Sequence, residues 1–207
     1  MGRIKELKRE KGKRKRNPVV YLVCEGEETE IRYFKRFRTR GCHIDIIPIT
    51  SQYKAADKLV QKARATMGHN HSYYPDEGDV IWCVFDRDDN TDEMLRRARQ
   101  LAEREGYRLA YSNPAFELWY LLHFHNQTSP IQDCQTVIRQ LKQKGKLPQY
   151  EKSHEVYDKL LLYQENALLR AKKRLETLNE NHQEIICRGS NPVTTAAELV
   201  EYLNSRR

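Results

Sequence analysis

Residues 19–24, Val-Val-Tyr-Leu-Val-Cys, form an unbroken apolar run that stops on a carboxylate, Glu25. A run of that length without polar alternation suits a strand covered on both faces, as in a parallel sheet between helices. Gly26 permits a sharp turn, and Glu28 to Arg40 then carries a helical pattern. Glu25 is therefore expected at the C-terminal end of a parallel strand, the edge on which open α/β sheets bind their ligands.

The same alternation continues. His43 to Ile49 reads as a second strand, with Pro48 favouring its end or a sheet edge. Lys54 to Met67 reads as a helix, and Asp79 to Phe85 as a third, central strand that runs into Asp86-Arg87-Asp88-Asp89-Asn90. A helix over about 91–105 stops at Gly106, and Tyr107 to Tyr111 is a fourth strand. This order predicts an α/β fold, a parallel sheet of about four strands with helices on both faces. After Asn113-Pro114, with Pro at a first helical position, helices are expected over 115–124, 131–144, 153–163, 165–178 and 194–204. The domain reading is a basic flexible tail over 1–16, an α/β core over 17–125 and a helical extension over 126–207 packed on it.

Charge separates the tail from the body. Residues 1–16 hold nine Lys/Arg and two Glu, 9 − 2 = +7 of the net +8, which leaves +1 for the remainder. Such a segment is too polar to fold alone. It either solubilises the chain or grips a phosphate backbone through counterion release. No apolar run approaches the ~18 residues of a membrane span, and no secretory leader is visible. The five cysteines are scattered without a CxxC pair, which fits a reducing, cytoplasmic setting and no zinc site. His69-Asn70-His71 is read as a surface loop. P-loop, GxGxxG and GxSxG motifs are absent from the sequence.

The chemistry concentrates where strands one and three end. Neighbouring parallel strands open on the same edge, so Glu25 should face Asp86 and Asp88. Asp-x-Asp on an extended segment points both carboxylates one way. Carboxylates crowded together repel unless a cation lies between them, and hard oxygen ligands suit Mg²⁺ or Mn²⁺. The plainer reading is that these are solvated loop acids. Glu117 is the only charge between Pro114 and Leu122 and lies on an apolar helix face. It either joins the acidic edge or complements the helix dipole. Glu30 either reaches the metal or faces solvent. Lys152 and Arg188 are candidates for a cation that stabilises a phosphate transition state. His123 is either a proton shuttle or a core histidine.

Glu25 to Glu30 and Phe85-Asp86-Arg87-Asp88 resemble the two motifs of the Toprim fold of topoisomerases, primases and OLD-type nucleases. Ser112 to Phe124 and Asn191-Pro192-Val193-Thr194-Thr195 add a closer resemblance, to the RloB-like family. That resemblance implies a Toprim-like sheet and a Mg²⁺-dependent nuclease centre, with Glu25, Asp86 and Asp88 matching the metal residues and Glu117 lying in the family's Asn-Pro-x-Phe-Glu block. Glu30 follows Glu25 by five positions, where OLD-type enzymes place a second Glu four on. The resemblance also implies an ATPase partner and a role in anti-phage defence.

The resulting expectation is a metal-dependent endonuclease acting on RNA, such as tRNA, or on DNA. Its catalytic residues are Glu25, Asp86, Asp88, Glu117 and Lys152, and its metal residues Glu25, Asp86, Asp88 and Glu30. A homo-oligomer is compatible with the sequence and a membrane partner is not expected. Two other classes stay open. One is a receiver-like signalling module phosphorylated on Asp86. The other is a non-catalytic nucleic-acid-binding subunit that uses the tail.

Overall fold

The structure is a computed structural model and describes residues 16–25, 28–48 and 55–207. Most of the basic tail, together with Gly26 and Glu27, lies outside the described residues. The elements run β1 (Val19–Cys24), α1 (Thr29–Lys35), β2 (His43–Pro48), α2 (Ala56–Gly68), β3 (Val80–Asp86), α3 (Asp92–Glu105), β4 (Arg108–Asn113), α4 (Glu117–Phe124), α5 (Cys134–Leu141), α6 (Tyr157–Leu161), α7 (Gln164–Glu180), β5 (Val193–Thr194) and α8 (Ala196–Asn204).

The sheet order is β2-β1-β3-β4-β5, parallel throughout except for β5. The α/β architecture read from the sequence is present, with one strand more than expected. Side-chain alternation along each strand feeds two cores. Val20, Leu22, Trp82 and Val84 point into one, shared with Phe34 of α1, Trp119 of α4, Ala167 of α7 and Leu199, Val200 and Leu203 of α8. Tyr21, Val23, Ile81, Cys83 and Phe85 point into the other, against Leu59 and Val60 of α2 and Leu95 and Ala98 of α3. Because β1 and β3 are buried on both sides, they carry no polar alternation.

Local signals explain where elements start and stop. Thr91 caps α3 by accepting the N–H of Met94 at 3.3 Å. Gly106, at φ +69°, closes that helix in a conformation that glycine adopts without a Cβ penalty. Asp133 caps α5 through Thr136 N–H at 2.8 Å, so that helix begins later than the expected 131. The first helix ends at Lys35 rather than Arg40. The chain folds into a turn in which Thr39 N–H donates to the Cys42 carbonyl and Cys42 N–H to Thr39 Oγ1, both at 3.0 Å.

The fifth strand replaces an expected helix start. Val193 and Thr194 pair antiparallel with Asn113 and Ser112, and the Ser112 and Thr194 hydroxyls lie 3.0 Å apart. Thr195 exchanges bonds with Tyr111: its N–H donates to the Tyr111 carbonyl at 2.8 Å, and its Oγ1 accepts the Tyr111 N–H at 2.9 Å. Three hydroxyl residues thus satisfy the free side of β4, and α8 starts only at Ala196. Asn113 ends β4 and is fully buried. Its amide donates to the carbonyls of Arg188 (3.1 Å) and Ser190 (3.0 Å). The helix that Pro114 was expected to open begins at Glu117.

At the opposite end of the sheet, Asp79 accepts the N–H groups of Val19 (2.7 Å) and Tyr74 (2.9 Å) and pairs with Arg16 at 2.6 Å. Among the described residues no helix is long and apolar enough to cross a membrane.

Candidate acidic site at the strand ends

Glu25 follows the last residue of β1 and extends its ladder, donating its N–H to the Val84 carbonyl at 3.0 Å. Its side chain then crosses to β3, where Oε2 accepts the N–H of Asp86 at 3.3 Å. The two acids that end neighbouring parallel strands therefore meet on one edge. Asp86 is also paired to Ser112 of β4. Asn90 supports the turn that follows, donating to the Asp86 carbonyl at 3.0 Å and accepting Ala56 N–H at 2.7 Å.

The chain does not stay extended through Asp88, as the Asp-x-Asp reading required. β3 stops at Asp86, and Asp88 is an exposed turn residue at φ +29°, a left-handed conformation that Asp tolerates better than most residues. Asp88 nevertheless stays within electrostatic reach of the edge and raises the pKa of both Asp86 and Glu30.

Helices deliver the remaining acids. Glu30 lies in the first turn of α1 and is buried. Burial, then the charges of Glu117 and Asp88, lift its carboxyl to about 7, against the opposing pull of its own backbone N–H and of Lys152. Asp86 is raised well above the usual carboxylate range by desolvation and by Glu30, Glu117, Glu25 and Asp88. Glu117 opens α4 and is 1% exposed. Tyr150 Oη donates to its Oε1 at 3.1 Å and Cys134 Sγ to its Oε2 at 3.6 Å. Burial and then Glu117 push the Cys134 thiol up to about 12, so it stays a neutral donor.

Lys152 is the cation of this group. Its Nζ lies 3.7 Å from Glu117 Oε1. Burial alone would lower its pKa, but Glu117, Cys134, Asp86 and Glu30 together leave it raised. Its backbone carbonyl accepts from Thr29 Oγ1 at 3.4 Å, and the Thr29 carbonyl accepts from Tyr120 Oη at 3.3 Å. The segment bearing Lys152 is thus fastened to α1 and α4.

The other candidates lie apart. Arg188 docks its guanidinium on the Asn90 carbonyl at 2.7 Å. His123 donates Nδ1–H to the Trp119 carbonyl at 2.9 Å, and burial lowers its pKa to about 4, which makes it a neutral core histidine. A cavity of about 760 Å³ is lined by Trp82, Arg108 and Glu198 and includes none of the acids of the edge. Tyr150, Cys134 and Thr29 were missed by sequence reasoning. Tyr150 stands two residues before Lys152, but nothing short of tertiary contact links it to Glu117.

The donor set of this edge is all oxygen and strongly self-repelling, which fits a hard divalent ion. Among the described residues no three His, Cys, Asp or Glu side chains are gathered as a ready ligand shell, so any ion would have to draw the carboxylates in.

Comparison with known proteins agrees with this layout in extent. No curated protein and no solved structure matches the chain. The family model described as RloB-like protein matches residues 20–203, from β1 into α8. The chain is a member of the RloB-like family.

Proposed function

We propose that the protein is a metal-dependent nuclease of Toprim type whose centre is the acidic edge formed by Glu25, Glu30, Asp86, Asp88 and Glu117. The observation that carries this reading is the meeting of carboxylates at the ends of β1 and β3, where Glu25 accepts the Asp86 N–H at 3.3 Å, with Lys152 3.7 Å from the buried Glu117. Crowded, desolvated carboxylates cost folding energy, and such clusters are concentrated at functional sites. Glu25, Asp86, Asp88 and Glu30 would hold Mg²⁺ or Mn²⁺. Such an ion supplies a polarised phosphate oxygen and a more acidic water.

The chain's own groups have distinct tasks. The Asp86 N–H holds the Glu25 carboxylate toward the edge. Tyr150 and Cys134 fix both oxygens of Glu117, and Glu117 in turn positions the Lys152 ammonium. That ammonium faces the edge as a charge for a phosphate oxygen. A neighbouring cleft of about 410 Å³, lined by Lys146, His154 and Lys159 beside Tyr150, supports a polyanionic substrate. RNA such as tRNA, or DNA, is the substrate class. Family membership supports an ATPase partner and a role in anti-phage defence as parts of the same proposal.

The test is cleavage of end-labelled tRNA, single-stranded RNA and duplex DNA by the protein, alone and with its neighbouring ATPase, in Mg²⁺ or Mn²⁺. Loss of cleavage in Glu25→Ala and Asp86→Ala with the fold retained supports the assignment. Wild-type cleavage rates in both variants overturn it.

A further inference from the structure

Arg87 directly follows Asp86. Its backbone N–H donates to the Ser112 carbonyl at 2.8 Å, and its carbonyl closes the turn after β3 by accepting the Asn90 N–H at 2.9 Å. Neighbours along an extended segment point to opposite sides, so Arg87 leaves the strand end away from the Asp86 carboxylate. Its charge is felt on two flanks. Burial and the Cys187 thiol raise the Tyr111 phenol of β4, and Arg87 opposes that rise. Thr136, then Arg139 and Arg87, lower the Asp133 carboxyl at the start of α5. Among the described residues, however, the Arg87 side chain forms no ion pair and no hydrogen bond, and its Nε is sealed from solvent without an acceptor. A dry N–H without a partner is a cost that folded chains ordinarily avoid. The residue as a whole is only half-buried, so the stem is held while the terminal nitrogens stay open.

A second guanidinium reaches the same turn from the far end of the chain. Arg188 Nη1 donates to the Asn90 carbonyl at 2.7 Å, and its N–H donates to Asp92 Oδ1 at 2.6 Å. Its carbonyl accepts from the buried Asn113 amide at 3.1 Å. The exposed Arg188 is thus tied down through a carbonyl, and among the described residues its guanidinium has no carboxylate partner. Lys152 lies on the other flank, beside Glu117 of α4. The acidic edge therefore has an ammonium on one side and two guanidiniums on the other. A lone anion beside these acids would gain few contacts against their repulsion. A strand of successive phosphates crossing the edge meets cations on both sides, and planar guanidinium forks match phosphate oxygens.

We propose that Arg87 and Arg188 form a backbone subsite beside the acidic edge, holding a phosphate of the nucleic-acid strand next to the one that would be cut. The identity of the strand rests on the nuclease reading above. The subsite adds the path, over the turn that follows β3. Arg87 is a binding residue in this scheme, acting on affinity and strand placement rather than on the reacting phosphate.

Fluorescence anisotropy of a labelled single-stranded oligoribonucleotide, and of its DNA counterpart, tests it with the full chain carrying Asp86→Asn in EDTA. That background removes the charge beside Arg87 and needs no metal. Adding Arg87→Gln should weaken binding about tenfold and lower the salt slope by about 0.7. Arg188→Gln should act in the same direction. Arg87→Lys keeps the charge but not the fork, so it should restore the salt slope and only part of the affinity. Lys173→Gln, which removes an exposed charge on α7, should change neither. In the otherwise wild-type chain, Arg87→Gln should raise KM for cleavage more than it lowers kcat.

No binding by the Asp86→Asn chain overturns the inference, as does unchanged binding in Arg87→Gln or an equal loss in Lys173→Gln. So does an Arg87→Gln variant altered only in melting temperature, which would make Arg87 a counter-charge for the acids. Circular dichroism checks each fold. Should Arg87→Gln not fold, the exposed Arg188→Gln carries the test, and unchanged binding there overturns the subsite. The two readings separate: a chain that never cuts but loses binding in Arg87→Gln overturns the nuclease and keeps the subsite, whereas cleavage with unchanged KM in Arg87→Gln overturns the subsite alone.

Discussion

Lys152 Nζ stands 3.7 Å from Glu117 Oε1, a half-exposed ammonium over a carboxylate that is almost wholly buried. This pair joins the segment after α5 to the start of α4 and brings a positive charge to the acidic edge. Solvent screens the exposed partner, so its contribution to stability is small. Lys152→Met is expected to cost about 0.5–1 kcal/mol in urea denaturation, less at high salt. If the nuclease reading holds, it should lower the cleavage rate by about 100-fold or more. A large stability loss without a rate effect would mark Lys152 as structural only.

Stability should fall as pH rises. The Glu30 carboxyl titrates near 7 in the folded chain against 4.5 as its ordinary value. Between those values the folded state holds a proton that the unfolded state has lost. This group's contribution is therefore complete below about pH 4.5 and lost as pH rises to about 7. Without divalent ions, unfolding free energy should decline over that interval, by on the order of 3 kcal/mol for this group. Glu30→Gln should flatten the decline in part, since Asp86 is raised in the same direction. An unchanged slope in Glu30→Gln would contradict the buried placement.

Removing one charge from the edge should separate repulsion from metal binding. Asp86→Asn keeps the shape of the side chain and relieves its repulsion with Glu30, Glu117, Glu25 and Asp88. Its melting temperature without metal should exceed that of the wild type by about 2–4 °C per kcal/mol relieved. Mn²⁺ should raise the melting temperature of the wild type and leave that of the variant unmoved. A melting scan with and without Mn²⁺ reads both effects.

Asn113 offers a test of the fold away from the charges. Its amide supplies the carbonyls of Cys187, Arg188 and Ser190 with a donor. Asn113→Ala should cost about 1–3 kcal/mol. Asn113→Asp should cost more, since a carboxylate would face three carbonyl oxygens. Hydrogen exchange over residues 187–195 should rise in both variants.

The acids at the ends of β1 and β3 were legible because a buried strand leaves few positions for a charge, and parallel topology sends both ends the same way. Glu117 stood out for the same reason, as a lone carboxylate in an apolar helix. The turn at Asp88 was not legible, because the extended run appeared to continue and only the hydrogen bonds of Asn90 reveal where it stops. Val193–Thr194 resembled a helix entry, since Asn, Pro and Thr are all helix-start residues. Its pairing depends on Ser112 and Tyr111, more than eighty residues away. Tyr150 and Cys134 meet Glu117 only once α5 and the following loop have folded back.

The placement of β5 and α8 bears on the order of events during synthesis. β5 completes the sheet beside the strand that borders Asp86, and Leu199, Val200 and Leu203 fill the core beneath β1 and β3. A nascent chain that has emerged only as far as α7 carries every acid of the edge but lacks the wedge that packs the layers. The constellation is therefore fully packed only after residues 193–203 have cleared the ribosome.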